Sequence, residues 1–516
     1  MGMPKTNTSF RPRVWAMVGG AVALALAIVA FDPYLFTGGD NAQYYALTHA
    51  LATGRGYVDL VRPGAPPHTL YPPGFPVLLV PFHLASGGSI VFMKVLSLLA
   101  GAGLLWAVYA LARRDPAVPA WGAAAAVALV GLYPPFREYT HWVLSDMTYT
   151  ALAAAALLAF QRQSDPVEPE PGWTGWMAAC ALALSAFYVR VAGVALFAAV
   201  VGWSLLERRW RRGAAAALFF ALGTLPWIAW SRQAAASARA GYVEQAAAGA
   251  ALSTSSGDLP RILAERLREV MVEYGTYQLP GLFWPCSPPP PAARAAGATL
   301  GGALLVYGAW RVLRARGVRP WDLYVAATLG LIYPWPWLGE RIFLTLAPFL
   351  WLYLLAGADD AARRVGGGRV PAIAATALVA LTLFGGGVVA AGRQVPRTRA
   401  WLAGNELGGY PPFWQDYFDA SKWIGANAPT AIVLARKPTL VWYWSRRPTV
   451  VYPFRGDPEE TWRFVDETGV THLLLDPSTE RALAPALESR KDRLELAYRA
   501  RGGQAAVVRL TTPAAP

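Results

Sequence analysis

Eleven apolar stretches recur along the chain, near residues 14–31, 89–112, 117–136, 142–160, 173–189, 191–206, 214–230, 295–310, 321–338, 342–358 and 370–392. A helix needs roughly 17 to 25 mostly apolar residues to cross the hydrocarbon of a bilayer. Most of the stretches reach that length; the sixth and eighth fall short, and Arg190 alone separates the fifth from the sixth, so the count is free to move by one or two. In hydrocarbon every backbone N–H and C=O must find a partner within the chain, so serial segments of this kind read as a bundle of spanning helices. With 55% apolar and 15% charged side chains over 516 residues, an ordinary water-soluble enzyme is excluded.

The cations orient this bundle. Fourteen arginines, at Arg113/Arg114, Arg162, the Arg208 to Arg212 cluster, Arg311 to Arg319 and Arg363 to Arg369, end spans that share one side, against Arg137, Arg190 and Arg341 in short turns of the other. Cationic turns stay in the cytoplasm. Residues 1–13 are therefore expected to be a cytoplasmic tail and residues 14–395 a transmembrane module with outer loops 32–88 and 232–294. Residues 396–516 are then an exoplasmic domain, and the membrane is the inner (plasma) membrane. The net charge of +14 falls mostly in those turns, facing cytosol and headgroups, which argues against a nucleic-acid partner. Lys5, Arg11 and Arg13 before the run Val14 to Phe31 resemble a signal peptide, but 18 apolar residues favour an uncleaved first span. Cys180 in a span and Cys286 in a loop offer no disulfide framework.

The last 120 or so residues change character. Helices are expected at Asp416–Asn427, Pro458–Thr468 and Glu480–Arg490, and strands at Ala431–Lys437, Thr449–Phe454, Thr471–Asp476, Leu494–Arg499 and Ala505–Thr511. That alternation predicts a small α/β domain with a partly parallel sheet. No glycine-rich phosphate loop follows its strands, which suits an accessory or recognition role. The fold class is thus an α-helical polytopic membrane protein carrying a C-terminal α/β domain.

The first outer loop is the densest in chemistry: Gly38-Gly39-Asp40-Asn41-Ala42-Gln43-Tyr44-Tyr45, then Gly54-Arg55-Gly56-Tyr57, then Tyr71-Pro72-Pro73-Gly74-Phe75-Pro76. Taken alone, Asp40 after two glycines reads as a helix N-cap and Pro-Pro-Gly as a turn. Asp146, in Leu144-Ser145-Asp146-Met147, lies about one turn into the fourth span, where carboxylates are costly and functional by default. Its alternative reading is a helix-terminal Asp satisfied by free backbone N–H groups and the helix dipole.

The first span, Gly-Gly-Asp with downstream tyrosines, and Tyr-Pro-Pro-Gly-Phe-Pro together resemble the polytopic GT-C glycosyltransferases that use polyprenyl-phosphate-linked sugars. Gly339-Glu340-Arg341-Ile342-Phe343, followed by Pro348, is a second match. The nearest kin by this resemblance are bacterial relatives of protein O-mannosyltransferases and of aminoarabinose lipid A transferases. The resemblance implies hexosyl or pentosyl transfer from a polyprenyl phosphate sugar to an exoplasmic lipid, glycan or protein acceptor. It implies Asp40 as general base, since a carboxylate within hydrogen-bond reach takes the proton of a poorly nucleophilic hydroxyl. Asp146 would be a second acidic group, orienting the acceptor, Asp40 or a metal.

The donor's leaving group is an anion, and guanidinium binds phosphate oxygens bidentately without losing its charge. Arg341 is the first choice for that contact, followed by Arg190, Arg137 and Lys94; the bland reading of Lys94 is snorkelling, and of the arginines headgroup contact. Tyr44, Tyr45, Tyr71 and Glu340 are expected at the substrate. His49, His68 and His83 lack a compact zinc spacing, so each reads as structural; no cofactor is indicated, and a divalent metal is left open. The 22 tryptophans, as in Trp335-Pro336-Trp337, read mostly as interfacial belt residues. Two other classes compete. A lipid-linked sugar flippase would carry mid-span charges and repeated halves, which the sequence lacks, and a non-catalytic envelope-assembly protein would tolerate loss of Asp40.

Overall fold

The computed structural model describes residues 12–163, 172–235, 259–286, 288–333, 335, 338–453 and 457–511. Residues 1–11 of the expected tail 1–13, the middle of the second outer loop, and Pro336 and Trp337 lie outside the described residues. Helices α1 (Pro12–Val29), α2 (Asp40–Ala52), α3 (Gly74–Ala85), α4 (Ile90–Arg114), α5 (Gly122–Leu132), α6 (Pro134–Thr140), α7 (Ser145–Arg162), α8 (Trp173–Val189), α9 (Val194–Leu206) and α10 (Trp210–Ala235) come first. Further long helices follow at Gly302–Arg316, Pro320–Ile332, Glu340–Arg364 and Val370–Leu402.

Every expected apolar stretch contains a helix, but not all are full-length rods. Among the described residues six helices are long and apolar enough to cross a membrane, or seven when α6 and α7 are taken as one broken span bent by 112°. Helix α5 stops at Leu132 because Pro134 and Pro135 follow, and proline cannot donate the next backbone hydrogen bond. The break places Ser145 and Asp146 at the start of α7 rather than inside a continuous helix. The helix Glu340–Arg364 is enclosed almost all round, whereas α1 and Val370–Leu402 turn most of their surface outward. Leaving a large apolar side chain in water costs about 1.5–3 kcal/mol. The outward faces, with Leu378, Leu381 and Val389 exposed, therefore require lipid. This is a membrane protein.

The segment between α1 and α4 folds back over the bundle as α2 and α3, which pack on each other. Trp230 on α10 ties it down by donating to the His68 carbonyl at 3.0 Å. After the helix Val370–Leu402, a five-stranded sheet forms from β1 (Val433–Leu434), β2 (Thr449–Val450), β3 (His472–Leu475), β4 (Leu494–Arg499) and β5 (Ala506–Leu510), in the order β2-β1-β3-β5-β4. The β1 pairings to β2 and β3 are parallel (Val433 opposite Thr449 and His472), and those of β5 are antiparallel. The partly parallel α/β unit is as expected, though the first two strands are shorter and a helix at Pro438–Ser445, not anticipated, fills the crossover between β1 and β2. That helix packs on α2, with Thr439 Oγ1 donating to the Gly39 carbonyl at 3.0 Å and the Thr449 N–H to the Val61 carbonyl at 2.7 Å. The sheet unit therefore rests on the segment that carries Asp40.

Candidate active site

Two glycines aim the charged groups. Gly39 has φ 96° immediately before α2, and Gly339 has φ 146° immediately before the helix Glu340–Arg364. A residue with a Cβ is strained in either conformation. Asp40 follows Gly39 as the first residue of α2, and no side chain caps that helix. The N-cap reading of Asp40 is therefore overturned: Gly39 holds the cap position, and the Asp40 carboxylate is committed elsewhere.

Arg341 takes it. Its Nη1 lies 2.6 Å from Asp40 Oδ2, while its Nη2 lies 2.9 Å from Asp146 Oδ2 and its Nε 3.3 Å from Asp146 Oδ1. Arg190, at the break between α8 and α9, donates its Nη1 to Asp146 Oδ1 at 2.7 Å. Asp146 is wholly buried, whereas the Asp40 and Arg341 side chains keep about a third of their surface, 33% and 37%. One carboxylate thus anchors two guanidiniums from below, and one of those guanidiniums presents its outer edge to a second carboxylate at the surface. A cavity of about 350 Å³ lies over them, lined by Asp40, Tyr44, Tyr71, Arg190, Trp335 and Arg341 among others.

Tyrosines frame the pair. The Tyr71 hydroxyl donates to Asp40 Oδ1 at 3.3 Å, and the hydroxyls of Tyr44 and Ser145 are 2.9 Å apart. Burial pushes the Tyr44 phenol up to about 12, with Arg190 and Ser145 pulling the other way, so it stays a neutral hydrogen-bonding group at pH 7. A second cavity of about 350 Å³ opens on the other side of Asp40, lined by Gln43, Asp59, Arg62, His68 and Lys437. Burial and Arg436 hold Lys437 below the usual lysine range, and Asp40 pulls it up.

The remaining sequence candidates lie elsewhere. Tyr45, one residue on from Tyr44 and so about 100° round the helix, faces the C-terminal unit, where its hydroxyl accepts from Arg446 Nη2 at 3.0 Å. Glu340 lies against Tyr139 and does not line the first cavity. Arg137 on α6 is half-buried and comes up against Gly387 of the last long helix. Lys94 neither snorkels nor reaches the cavity: it is fully buried and donates to the carbonyls of Asp32 and Tyr34, 2.6 Å each, pinning the chain where it leaves α1.

Sequence reasoning had no signal for Ser145 as a partner of Tyr44, or for Lys437, which lies nearly 400 residues from Asp40 and reaches it only through the docking of the C-terminal unit. No cluster of three or more His, Cys, Asp or Glu side chains able to hold a metal occurs among the described residues. Between Asp40 and Asp146 the cation is Arg341 itself. A divalent ion would have to displace it, so these residues do not fit a resident metal.

The profile of glycosyltransferase family 87 matches residues 69–334, just over half the chain. The chain belongs to that family. It is therefore a glycosyltransferase, and solved structures place its fold in the GT-C class. The apo ArnT of Cupriavidus metallidurans superposes with a TM-score of 0.59 at 15% identity, covering 96% of this chain and 98% of that one. The same protein bound to undecaprenyl phosphate gives 0.58 at 17% identity, covering 98% and 99%. The apo oligosaccharyltransferase of Archaeoglobus fulgidus gives 0.61 at 14% identity, covering 99% of this chain and 75% of that one. No curated protein sequence matches.

Proposed function

We propose that this glycosyltransferase moves a sugar from a polyprenyl phosphate to a hydroxyl of an exoplasmic acceptor, with Asp40 as general base and Arg341 and Arg190 receiving the phosphate. The observation that carries this reading is the guanidinium of Arg341 held between a surface carboxylate and a buried one, beneath a cavity. Support for the donor comes from the ArnT structure bound to undecaprenyl phosphate, which shares the fold. In this reading the N-terminus is cytoplasmic, the sheet unit lies on the exoplasmic side of the inner membrane, and the boundary between bundle and sheet unit falls near residue 395.

The charge balance fits the reaction. At rest Asp40, Asp146, Arg190 and Arg341 sum to zero. An arriving phosphate competes for the outer edge of Arg341 and frees Asp40 Oδ2, so the base becomes available when the donor is seated. The acceptor oxygen then bonds to the anomeric carbon, the bond from that carbon to the phosphate oxygen breaks, and the acceptor's proton passes to Asp40. Protonation of Asp40 leaves the cluster with one net positive charge as the departing phosphate gains a negative one. Stabilisation of this kind, strongest where charge develops, is what lowers a barrier. Asp146, with no exposure, keeps both guanidiniums pointed outward throughout.

Native mass spectrometry of the full chain offered a defined polyprenyl phosphate tests the donor. The wild type is expected to retain the lipid and Arg341→Ala to lose it; a wild type that retains none contradicts the reading.

A further inference from the structure

A third cavity, of about 470 Å³, lies in the seam between the Asp40 segment and the sheet unit, lined by His49, Arg55, Arg62, Trp442 and Arg446 among others. No carboxylate lines it, and among the described residues none of its three arginines is paired with one. Arg446 is held flat, 4.8 Å over the rings of both Tyr45 and Trp442, with its Nη2 on the Tyr45 hydroxyl. It also has φ 57°, and Ala65 on the same cavity wall has φ 44°; the one other non-glycine residue at positive φ among those described is Arg208.

Arg55 and Arg446 are exposed and Arg62 is half-buried, so all three keep guanidinium N–H donors in reach of an anion that enters the cavity. His49 Nδ1 and His83 Nε2 are 3.2 Å apart, and burial, then Arg446, pushes both imidazoles below their ordinary value. Asp59, which lines the cavity on the other side of Arg62, is occupied, accepting from Gln43 and from the Val61 N–H and facing His68.

We propose that this pocket binds a phosphate group carried by the acceptor, so that the enzyme selects an anionic acceptor by gripping it away from the reacting hydroxyl. A carboxylate is satisfied by one guanidinium fork, whereas a phosphate offers oxygens to several, which suits a cavity lined by three arginines. Arg62 lines both this pocket and the second cavity beside Asp40, so the two adjoin. His49 is nine residues along α2 from Asp40, about 13 Å at the helical rise, a gap that a short glycan spans and a single sugar ring does not. The acceptor role rests on Asp40 being the base; the anion site itself does not.

The test uses the full chain in phosphatidylcholine nanodiscs, with inorganic phosphate binding followed by ³¹P line broadening in an Arg341→Gln background that weakens phosphate binding in the first cavity. Arg55→Gln and Arg62→Gln, both at the cavity rim, should each weaken phosphate binding about tenfold, and Arg446→Lys should do the same while keeping the charge. Wild-type affinity in all three variants overturns the site. Repeating the titration in phosphatidylglycerol nanodiscs separates the source: suppression of phosphate binding assigns the pocket to a lipid headgroup, and unchanged binding to a phosphorylated glycan. In transfer assays phosphate should raise the acceptor KM without changing kcat in the wild type and not in Arg55→Gln. If phosphate binds but leaves KM unmoved, the acceptor assignment is overturned while the Asp40 reading stands.

Discussion

Two clusters in this molecule use the same side chains to different ends. At the basic end of the bundle, Arg316 lies between Asp115, 2.7 Å from its Nε, and Asp322, 2.7 Å from its Nη1, and Tyr353 donates to Asp322 at 2.6 Å. At the other end Arg341 lies between Asp40 and Asp146 at 2.6 and 2.9 Å. The donor and acceptor sets nearly coincide; what differs is access. Arg316 keeps 3% of its surface, with Trp321 stacked 4.9 Å from its guanidinium, whereas Arg341 keeps 37% and opens on a cavity. A sealed ion pair can only hold helices together. An open one, with one carboxylate at the surface, can exchange a partner for a substrate anion. Burial around a charge, rather than its presence, separates the fastener from the site.

That contrast can be broken by substitution. Arg316→Met strands two buried carboxylates and should cost about 3–5 kcal/mol of stability, read as a large loss of Tm in detergent, with transfer per folded molecule unchanged; a normal Tm would remove the distinction. Arg341→Ala should do the reverse, lowering transfer by roughly 10² to 10³-fold as leaving-group stabilisation is lost, with a much smaller drop in Tm because Asp146 keeps Arg190. Tyr44→Phe removes one hydroxyl from the buried Ser145 contact and should cost about 1 kcal/mol, seen as a few-fold change in donor affinity if Ser145 helps set Asp146.

The smallest effect concerns pH. His49 and His83 are both held below their ordinary value, so the folded state favours their neutral forms. Their contribution is complete above the unfolded value near 6.5 and is lost as pH falls through the folded values. Protection factors of the amides in α2 and in the helix Pro438–Ser445 should therefore fall as pH drops below about 6.5, and His83→Gln should flatten that dependence.

Much of this was legible beforehand, and the reasons are physical. Apolar length marks spans because hydrocarbon does not tolerate bare backbone, and strand alternation marks the C-terminal sheet. The motifs around Asp40 and Arg341 pointed at the two groups that meet across 301 residues. Lys94 was misjudged because depth along a helix does not say what the neighbouring loop covers; here the chain leaving α1 lays two carbonyls over it. Tyr44 and Tyr45 look equivalent in sequence, yet their angular offset on α2 sends Tyr44 to the first cavity and Tyr45 to Arg446 of the sheet unit. Lys437, Arg62 and Arg446 carried no motif, since their importance arises from how the sheet unit docks, which local pattern does not encode.

The most direct test of the account is single-turnover transfer by Asp40→Asn, with binding of the polyprenyl phosphate donor measured on the same preparation. Loss of a general base should lower the transfer rate by about 10² to 10⁴-fold while the lipid still binds, because Asp146 continues to hold Arg341 and Arg190 in place. Transfer at the wild-type rate would contradict it.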